Sequence, residues 1–482
     1  MDLAGLTQRA THDRPVRDAP TGHGRLRVAF KSLGCRVNYE EAECLGDTFG
    51  ECGWQRVPFE AEADVYVINT CTVTRLADAE SRKQIRRAVR NKPDGGIVAV
   101  TGCYAQRDPE ALRALEGVDL ILGNVEKAQL FEHVRRVRED QRLAGDIWVT
   151  KAPRTQTFLG HGTQDADRQR IDQRTRATLK IQDGCNERCT YCIIPFVRGV
   201  SVSRDLGEVC DEASRLADRG FREIALTGVN TGSFGMDRGE TDALAKLVRR
   251  LDGLARQRRA PHLRFRLNSL EPATVTPALL DAIDTAPSFA RHFHVPMQHG
   301  DSQILRRMGR GYDTRFYEDI IRSVHARFPR AGIGADIMVG FPGETEEHFE
   351  RACTFVDSLP LSYLHVFTYS ERDGTPATRM PGQVDAQTKA ARSRHMHRIE
   401  QALRRRFLAR IDGTRESVLV ERKRGPGGGL TGLTGNYARV ELPMETAAEP
   451  SDAPAANEFW IVRIEDRGDP RLAGARPIRR DH

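Results

Sequence analysis

The 482-residue sequence lacks the features of a membrane or secreted protein. No apolar run approaches the roughly 18–20 residues that cross a bilayer, so we expect no membrane partner. The first 24 residues carry basic side chains but no apolar signal segment, which predicts a disordered leader over 1–24. Aromatic residues make up only 6%, and 74 basic against 67 acidic residues give a net charge of only +7. Such an excess does not by itself identify a nucleic-acid-binding protein. We expect the protein to be cytoplasmic.

Ten cysteines without a secretory signal do not suggest a disulfide framework. In a reducing compartment, clustered cysteines are more often metal ligands or redox groups. Three of the ten lie in one short motif, and three others each follow a predicted strand. The ten cysteines are Cys35, Cys44, Cys52, Cys71, Cys103, Cys185, Cys189, Cys192, Cys210 and Cys353.

The apolar pattern predicts three folded parts, namely two α/β domains followed by one all-β domain. Short apolar runs alternate with helical stretches over residues 25–137, which predicts a parallel α/β domain of flavodoxin-like type. Residues 138–173 are polar and weakly periodic, as expected for a linker. Six further strand-helix units over 174–400 predict a partial (β/α) barrel. Short strands separated by Gly and Pro over 411–475 predict a small all-β barrel.

Cys185, Cys189 and Cys192 form a C-x3-C-x2-C motif directly after the first strand of the second domain. Thiolates are the usual ligands of iron–sulfur clusters, and three ligands leave one of four irons open to a small molecule. A structural zinc site usually has four ligands, and this motif has no fourth Cys or His at close spacing. The spacing therefore favours an iron–sulfur cluster over zinc.

With Tyr191 before its last cysteine, the motif resembles the signature of the radical S-adenosylmethionine (SAM) superfamily. The resemblance implies a 4Fe–4S cluster that binds SAM and cleaves it to a 5′-deoxyadenosyl radical, so the cofactor carries the chemistry and no catalytic side chain is predicted. It places Tyr191 near the adenine of SAM. It also implies that the loops LTGVNTG, NSLEP, PMQHG and DIMVGFPGET line the site. The residues expected to contact SAM are Tyr191, Gly228, Glu271 and Gln298. The loop glycines that suit close approach or positive φ are Gly228, Gly340 and Gly343.

Cys35, Cys71 and Cys103 are far apart in sequence, yet each follows a predicted strand. The ends of parallel strands line one edge of a sheet, so these thiols can converge there. Three buried, apolar cysteines would fit the same pattern. For Cys44, Cys52, Cys210 and Cys353, which lack this context, a packing role is preferred.

The sequence segments around these cysteines resemble the N-terminal domain of methylthiotransferases. These segments are SLGCRVNYEE, INTCTVTRLADAESR and VTGCYAQ. The resemblance covers about residues 25–475 and includes a C-terminal TRAM domain, an OB-like RNA-binding barrel. It implies a second, auxiliary 4Fe–4S cluster held by Cys35, Cys71 and Cys103. One SAM would methylate sulfur there, and another would supply the radical that activates a substrate C–H bond. An electron donor and a sulfur source are further partners, which the motifs do not identify.

The loop sequences look closest to the branch of the family that methylthiolates C2 of N6-threonylcarbamoyladenosine at position 37 of tRNA. They include LTGVNTGSFG and TGNYARVELP. An enzyme for N6-isopentenyladenosine-37 would be expected to read nearer to GQNVNAY in the second-strand loop. The sequence also leaves open a methylthiotransferase for a ribosomal protein aspartate and a non-enzymatic iron–sulfur RNA-binding protein.

Charge distribution also bears on the substrate. Residues 81–92 contain six basic and no acidic residues, and residues 401–425 contain eight basic and three acidic ones. Such runs are usually solvated faces, but the second leads into the β-module. There, Tyr437 and Trp460 are expected to offer RNA a stacking platform. Arg198, Arg204 and Arg266 are candidates for binding the threonylcarbamoyl carboxylate.

Overall fold

The computed structural model describes residues 25–140, 143–150, 158–162, 175–258, 262–443 and 453–481. The leader predicted over 1–24 lies outside the described residues. A parallel α/β domain, a parallel partial barrel and a closed β-barrel follow one another along the chain, which confirms the predicted fold class.

The first domain is a six-stranded parallel sheet in the order β2-β1-β3-β4-β5-β6, with helices on both faces. The central strands β3 and β4 are buried along their whole length, which explains their continuous apolar sequences VYVINT and IVAVTG. The strands are β1 (Arg27–Ser32), β2 (Gln55–Val57), β3 (Val65–Thr70), β4 (Ile97–Gly102), β5 (Leu120–Leu122) and β6 (Asp146–Trp148). The helices are α1 (Arg36–Glu51), α2 (Arg75–Asn91), α3 (Cys103–Arg107), α4 (Pro109–Arg113) and α5 (Leu130–Glu139).

Part of the predicted linker completes this sheet. Strand β6 lies within 138–173 and pairs in parallel with β5, with Leu120 opposite Asp146. Further along, His161 lies against the second domain, where its backbone N–H donates to Glu212 at 2.9 Å. Three-residue strands such as β2 and β6 are too short to show an alternating pattern, so the sequence did not indicate them.

The second domain contains six parallel strands in two adjoining sheets, β7-β10-β11 and β12-β13-β14, with a bridge from Phe265 to Phe289 between them. Its helices pack outside the strands around one large apolar core. The strands are β7 (Arg176–Lys180), β8 (Gln182–Asp183), β9 (Val202–Ser203), β10 (Glu223–Thr227), β11 (Arg264–Leu267), β12 (His292–His294), β13 (Gly332–Val339) and β14 (Tyr363–Thr368). The helices are α6 (Ile194–Arg198), α7 (Leu206–Asp218), α8 (Ala243–Gln257), α9 (Pro277–Asp284), α10 (Ser302–Arg307), α11 (Thr314–Arg327), α12 (Glu346–Ser358) and α13 (Ala386–Ile411).

The C-terminal strands form a closed barrel in the order β15-β16-β17-β19-β18. Phe407, Leu408 and Ile411, at the end of α13, pack into its core. Arg264 and Arg266 of β11 donate to carbonyl oxygens of the barrel and so fix it against the second domain. The strands are β15 (Arg415–Arg424), β16 (Leu430–Thr434), β17 (Arg439–Leu442), β18 (Phe459–Glu465) and β19 (Ala473–Arg480). No helix in the described ranges is both long and apolar enough to cross a bilayer.

Candidate functional site

Cys35, Cys71 and Cys103, hereafter the first trio, lie at the carboxyl-terminal edge of the first sheet. Cys35 directly precedes α1, Cys71 follows β3, and Cys103 begins α3 after β4. Because β1, β3 and β4 are neighbours, their loops lie side by side. A Cβ at Gly34 would be only 2.5 Å from the Cys71 sulfur, so only glycine lets these two loops approach this closely.

Asn38 joins these loops through its side chain. Its Nδ2 donates to the carbonyl oxygens of Leu33 at 2.8 Å and Thr70 at 2.9 Å. Its Oδ1 accepts from Nη2 of Arg198 at 2.5 Å and lies 3.9 Å from the Cys103 sulfur. The sequence pattern did not indicate Asn38, although its place in the first turn after a cysteine is a usable signal.

The surroundings of the first trio suit an anionic metal cluster. Burial raises the pKa of Cys71 to about 12, and the thiols of Cys103 and Cys35 add to this effect. The three thiols are therefore close enough to repel one another when ionised, and a metal bound by Cys71 must displace its proton. The buried Nε of Arg198 has no hydrogen-bond partner among the described residues, and the charge of Arg198 acts to lower the pKa of Cys35. This donor is suited to a cluster sulfur.

Cys185, Cys189 and Cys192, hereafter the second trio, lie on one loop between β8 and α6. Gly184 precedes the loop with φ of +67°, and a Cβ there would lie 1.9 Å from the Val200 carbonyl oxygen. Burial raises the pKa of Cys185 and of Cys192 to about 12, and neighbouring thiols contribute in each case. A metal bound by Cys185 and Cys192 would therefore have to displace their protons.

Both trios are more open than a zinc site. Thiolates bound to one zinc ion at about 2.3 Å lie roughly 4 Å from one another. Neither trio belongs to the sets of described Cys, His, Asp and Glu residues whose ligand atoms all lie within 4.8 Å. Those sets are Glu40–Cys44–His161 and His294–Asp336–His365. Because thiolates are the usual ligands of iron–sulfur clusters, three thiols in each trio favour such a cluster over a single zinc ion.

Arg310 is a residue of this site that the sequence pattern did not indicate. Its Nη1 donates to the Cys189 sulfur at 3.0 Å, and its Nη2 donates to the carboxylate of Glu271. The guanidinium also packs over the ring of Tyr312 at 4.9 Å. A buried cation here offsets negative charge on the second trio. In RRMGRGY, Arg310 is one of several arginines in a charged stretch, which gave no signal for its role.

The residues expected to contact SAM lie around the second trio. Glu271 is tied to the trio through Arg310, and Tyr191 packs edge-on against Phe341 with ring centroids 6.2 Å apart. A Cβ at Gly228 would lie 2.7 Å from Oε1 of Gln182, so this position requires close backbone approach as expected.

Gln298 shows backbone strain of the kind that collects at functional sites. Its φ is +69°, which is unfavourable for a residue with a side chain. Its N–H donates to the carbonyl oxygen of Asp336 at 2.9 Å, and its own carbonyl accepts from Met338 at 2.8 Å. Gly340 and Gly343 have positive φ, as expected. That Tyr191, Gly228, Glu271 and Gln298 contact SAM stays a prediction.

One short helix connects the two trios. Ile193 follows Cys192 directly, and Ile193 and Val197 of the α6 segment pack against Cys103. The carbonyl oxygen of Val197 accepts from Nδ2 of Asn124 at 2.7 Å. Both trios therefore lie at the same interface between the first two domains.

A buried ionic network stabilises this interface. Glu41 of α1 contacts Lys127 at 2.7 Å, Lys180 at 2.9 Å and Arg198 at 3.1 Å. Asp183 contacts Lys180 at 3.0 Å and Arg198 at 2.9 Å. Burial acts to raise the pKa of Glu41, but Arg198 and the two lysines outweigh it and hold that pKa well below its usual value.

The expectation that Arg198, Arg204 and Arg266 offer free guanidinium groups to a substrate carboxylate is wrong. Their exposed fractions are 0, 5 and 2%. Arg198 belongs to the ionic network, Arg204 pairs with Glu212 at 3.4 Å, and Arg266 pairs with Glu223 at 3.2 Å. In each case a buried carboxylate of the protein already neutralises the charge.

The aromatic platform expected on the C-terminal barrel is also wrong. Trp460 is 6% exposed and belongs to the barrel core. Tyr437 stacks on His292 of β12 with ring centroids 4.1 Å apart. It therefore packs against the second domain instead of offering its ring to solvent.

Two family models match the chain. Residues 27–123 match the uncharacterized protein family UPF0004, and residues 179–356 match the Radical SAM superfamily. The solved radical SAM methyltransferase TsrM of Kitasatospora setae, with cobalamin and a 4Fe–4S cluster bound, aligns with a TM-score of 0.52 at 16% identity. The alignment covers 74% of this chain and 77% of that one, and it concerns the fold alone. The partial barrel and the second trio, with the superfamily match, define a radical SAM enzyme, a class that uses a 4Fe–4S cluster and SAM.

Three relatives narrow this class. Threonylcarbamoyladenosine tRNA methylthiotransferase MtaB of Bacillus subtilis strain 168 is 38% identical over 86% of this chain and 89% of its own length. A tRNA-2-methylthio-N(6)-dimethylallyladenosine synthase of Natranaerobius thermophilus is 32% identical over 81% and 84%. Ribosomal protein uS12 methylthiotransferase RimO of Saccharopolyspora erythraea is 34% identical over 83% and 85%. The chain belongs to the radical SAM methylthiotransferase family.

Proposed function

We propose that this protein methylthiolates C2 of N6-threonylcarbamoyladenosine at position 37 of tRNA. The observation that carries the proposal is that two separate trios of thiols lie at one domain interface. A methylthiotransferase needs one centre that delivers sulfur and another that activates the substrate C–H bond. The loop sequences and the name of the Bacillus subtilis relative support this substrate over an isopentenyl adenosine or a protein aspartate.

We assign an auxiliary 4Fe–4S cluster to the first trio and a SAM-binding 4Fe–4S cluster to the second. When bound, these clusters and two molecules of SAM would supply the methyl group and the radical, with sulfur from the sulfur source and electrons from the electron donor. In this assignment residues 25–137 hold the auxiliary cluster, residues 174–400 hold SAM, and residues 411–475 bind RNA. The three thiols at each trio and the donors at Arg198 and Arg310 support it.

The chain itself positions the reactants. Arg310 sets the charge beside Cys189 and fixes Glu271, and Arg198 performs the corresponding task beside the first trio. Ile193 and Val197 form an apolar contact with Cys103 that joins the second domain to the first trio. Such positioning matters because a misplacement of about 1 Å can cost on the order of 100-fold in rate.

Exposed arginines on the C-terminal barrel support RNA as the partner. Arg415 of β15 lies opposite Arg463 of β18, and Arg463 lies opposite Arg476 of β19. Arg476 pairs with Glu465 at 3.1 Å. Like charges directly opposite one another destabilise a sheet, so the pair formed by Arg415 and Arg463 favours a bound anion. Phosphate groups of a tRNA backbone would supply that negative charge.

Mass spectrometry of tRNA nucleosides from cells that lack this gene tests the proposal. We expect the 2-methylthio derivative of N6-threonylcarbamoyladenosine to disappear and its unmodified precursor to accumulate. Complementation with the wild-type gene should restore it, whereas a gene with the second trio changed to Ala should not. Loss of the isopentenyl derivative instead, or of methylthioaspartate from a ribosomal protein, would contradict the proposed substrate.

A further inference from the structure

Arg36 differs from the other arginines of the site because no carboxylate in the described part of the chain pairs with it. Its Nη1 donates to Oδ1 of Asn268, and its Nη2 donates to the hydroxyl of Tyr437 at 3.1 Å. Both partners are neutral, and the residue is exposed. A guanidinium that is held in place by neutral groups keeps its full charge available for an anion.

Arg36 also lies where all three domains meet. It begins α1 directly after Cys35 of the first trio, Asn268 follows β11 within the predicted SAM loop NSLEP, and Tyr437 lies between β16 and β17. The guanidinium is therefore fixed between the proposed auxiliary cluster and the proposed SAM site.

A second polar group lines the same region. Oδ1 of Asp336 lies 3.2 Å from Nδ1 of His365, which orients the imidazole, and the His365 side chain is 46% exposed. The ring of Tyr363 connects this group to Arg36, because its centroid lies 5.3 Å from those of both His365 and Tyr437. Arg36 and Asp336 both influence the pKa of Tyr363, which burial raises.

We propose that Arg36 binds the free carboxylate of the substrate's threonylcarbamoyl group, with His365 as a neighbouring polar contact. This inference rests on the proposed function and names the residue that recognises the substrate. The threonylcarbamoyl group is attached at N6, and C6 and C2 of adenine flank the same ring nitrogen. The threonylcarbamoyl group must therefore enter the active site together with the carbon that reacts. Arg36 is an unpaired cation beside both proposed cluster sites, which is where that carboxylate would lie.

The test compares two forms of one tRNA that differ only in whether position 37 carries the threonylcarbamoyl group. Dissociation constants and methylthiolation rates are measured with the full-length protein carrying reconstituted clusters. We expect Arg36→Gln to lose about 10- to 100-fold in affinity for the modified tRNA, the range of a charge-assisted hydrogen-bonded contact. Affinity for the unmodified tRNA should not change. Arg249→Gln, which alters an exposed arginine on α8, is the matched control and should leave both constants unchanged.

Two further variants separate recognition from folding. Tyr437→Phe removes one support of Arg36 but keeps its charge, so the preference should fall only in part, and Arg36→Lys should restore part of what Arg36→Gln loses. Iron content, measured for each variant, checks that the fold and both clusters are retained. If Arg36→Gln kept the preference for the modified tRNA, or lost equal affinity for both tRNAs, the inference would be overturned while the proposed function stayed intact.

Two other outcomes are decisive. A wild-type protein without preference for the modified tRNA would contradict the proposed substrate and this inference with it. His294, Asp336 and His365 also form a set that can ligate a metal ion. If His365→Ala preparations lost one metal ion beyond the clusters, the role of His365 in binding substrate would be overturned.

Discussion

Replacing Arg198 with Met tests whether the buried ionic network holds the two trios together. Arg198 is fully buried and contacts Glu41 at 3.1 Å and Asp183 at 2.9 Å. Met preserves much of the volume but leaves two buried carboxylates without this cation. Removing one partner of a buried ion pair costs about 3–5 kcal/mol. Because Lys127 and Lys180 still contact Glu41, we expect the lower end, about 3 kcal/mol.

Thermal unfolding of the full-length protein under anaerobic conditions measures this effect. A loss of 1 kcal/mol lowers Tm by about 2–4 °C in domains of 150–250 residues, so about 3 kcal/mol predicts a decrease of about 6–12 °C. Arg198→Met should also lose iron from the first trio, because Nη2 of Arg198 binds Asn38, which joins the loops of that trio. Arg198→Lys keeps the charge but cannot make all of these contacts, and its Tm should be intermediate.

Arg249→Met, at an exposed position on α8, is the control for losing an arginine and should leave Tm unchanged. If Arg198→Met had the same Tm and the same iron content as the wild type, the network would not stabilise the interface. A decrease in Tm with full iron at both trios would show that the network stabilises the fold without supporting the first trio.

Three more predictions concern the thiols, the barrel and the ionic network. Changing the second trio to Ala should abolish SAM cleavage and methylthiolation, whereas changing the first trio should spare SAM cleavage and stop sulfur insertion; equal loss of SAM cleavage would contradict their separate roles. Changing Arg415 or Arg463 to Ser should reduce the slope of log tRNA affinity against log salt by about one each, and an unchanged slope would exclude a phosphate contact. The pKa values of Glu41 and Asp183 lie below their ordinary values of 4.5 and 3.8 in the folded protein. Their stabilisation is therefore complete above those ordinary values and is lost as the pH falls below them through the lower pKa values of the folded protein, so Tm should decrease below about pH 4.5. Arg198→Met should weaken that dependence, and the same dependence in wild type and variant would contradict the assignment.

The sequence predicted those parts of the fold that have a clear period. The buried strands β3 and β4 carry the continuous apolar runs VYVINT and IVAVTG, the pattern of a parallel strand buried on both faces. The three-residue strands β2 and β6 have no period to detect. Strand β19 was missed because AGARPIRR contains a proline and few apolar residues, and its register against β18 shifts near Ile461.

The candidate site was predictable where residue type alone limits the chemistry. Both trios directly follow predicted strands, and the strand pattern predicted that Cys35, Cys71 and Cys103 can converge at one edge of the sheet. The charged residues were not predictable, because Arg198 and Arg266 look available in sequence until Glu41 and Glu223 from distant segments neutralise them. Arg36 is the opposite case, since only the structure shows that its partners are neutral.

Iron and sulfide counts on anaerobically reconstituted protein measure whether each trio holds its own cluster. We expect about eight irons per chain in the wild type and about four when either trio alone is changed to Ala. About four irons in the wild type, with no further loss when the first trio is changed, would contradict it.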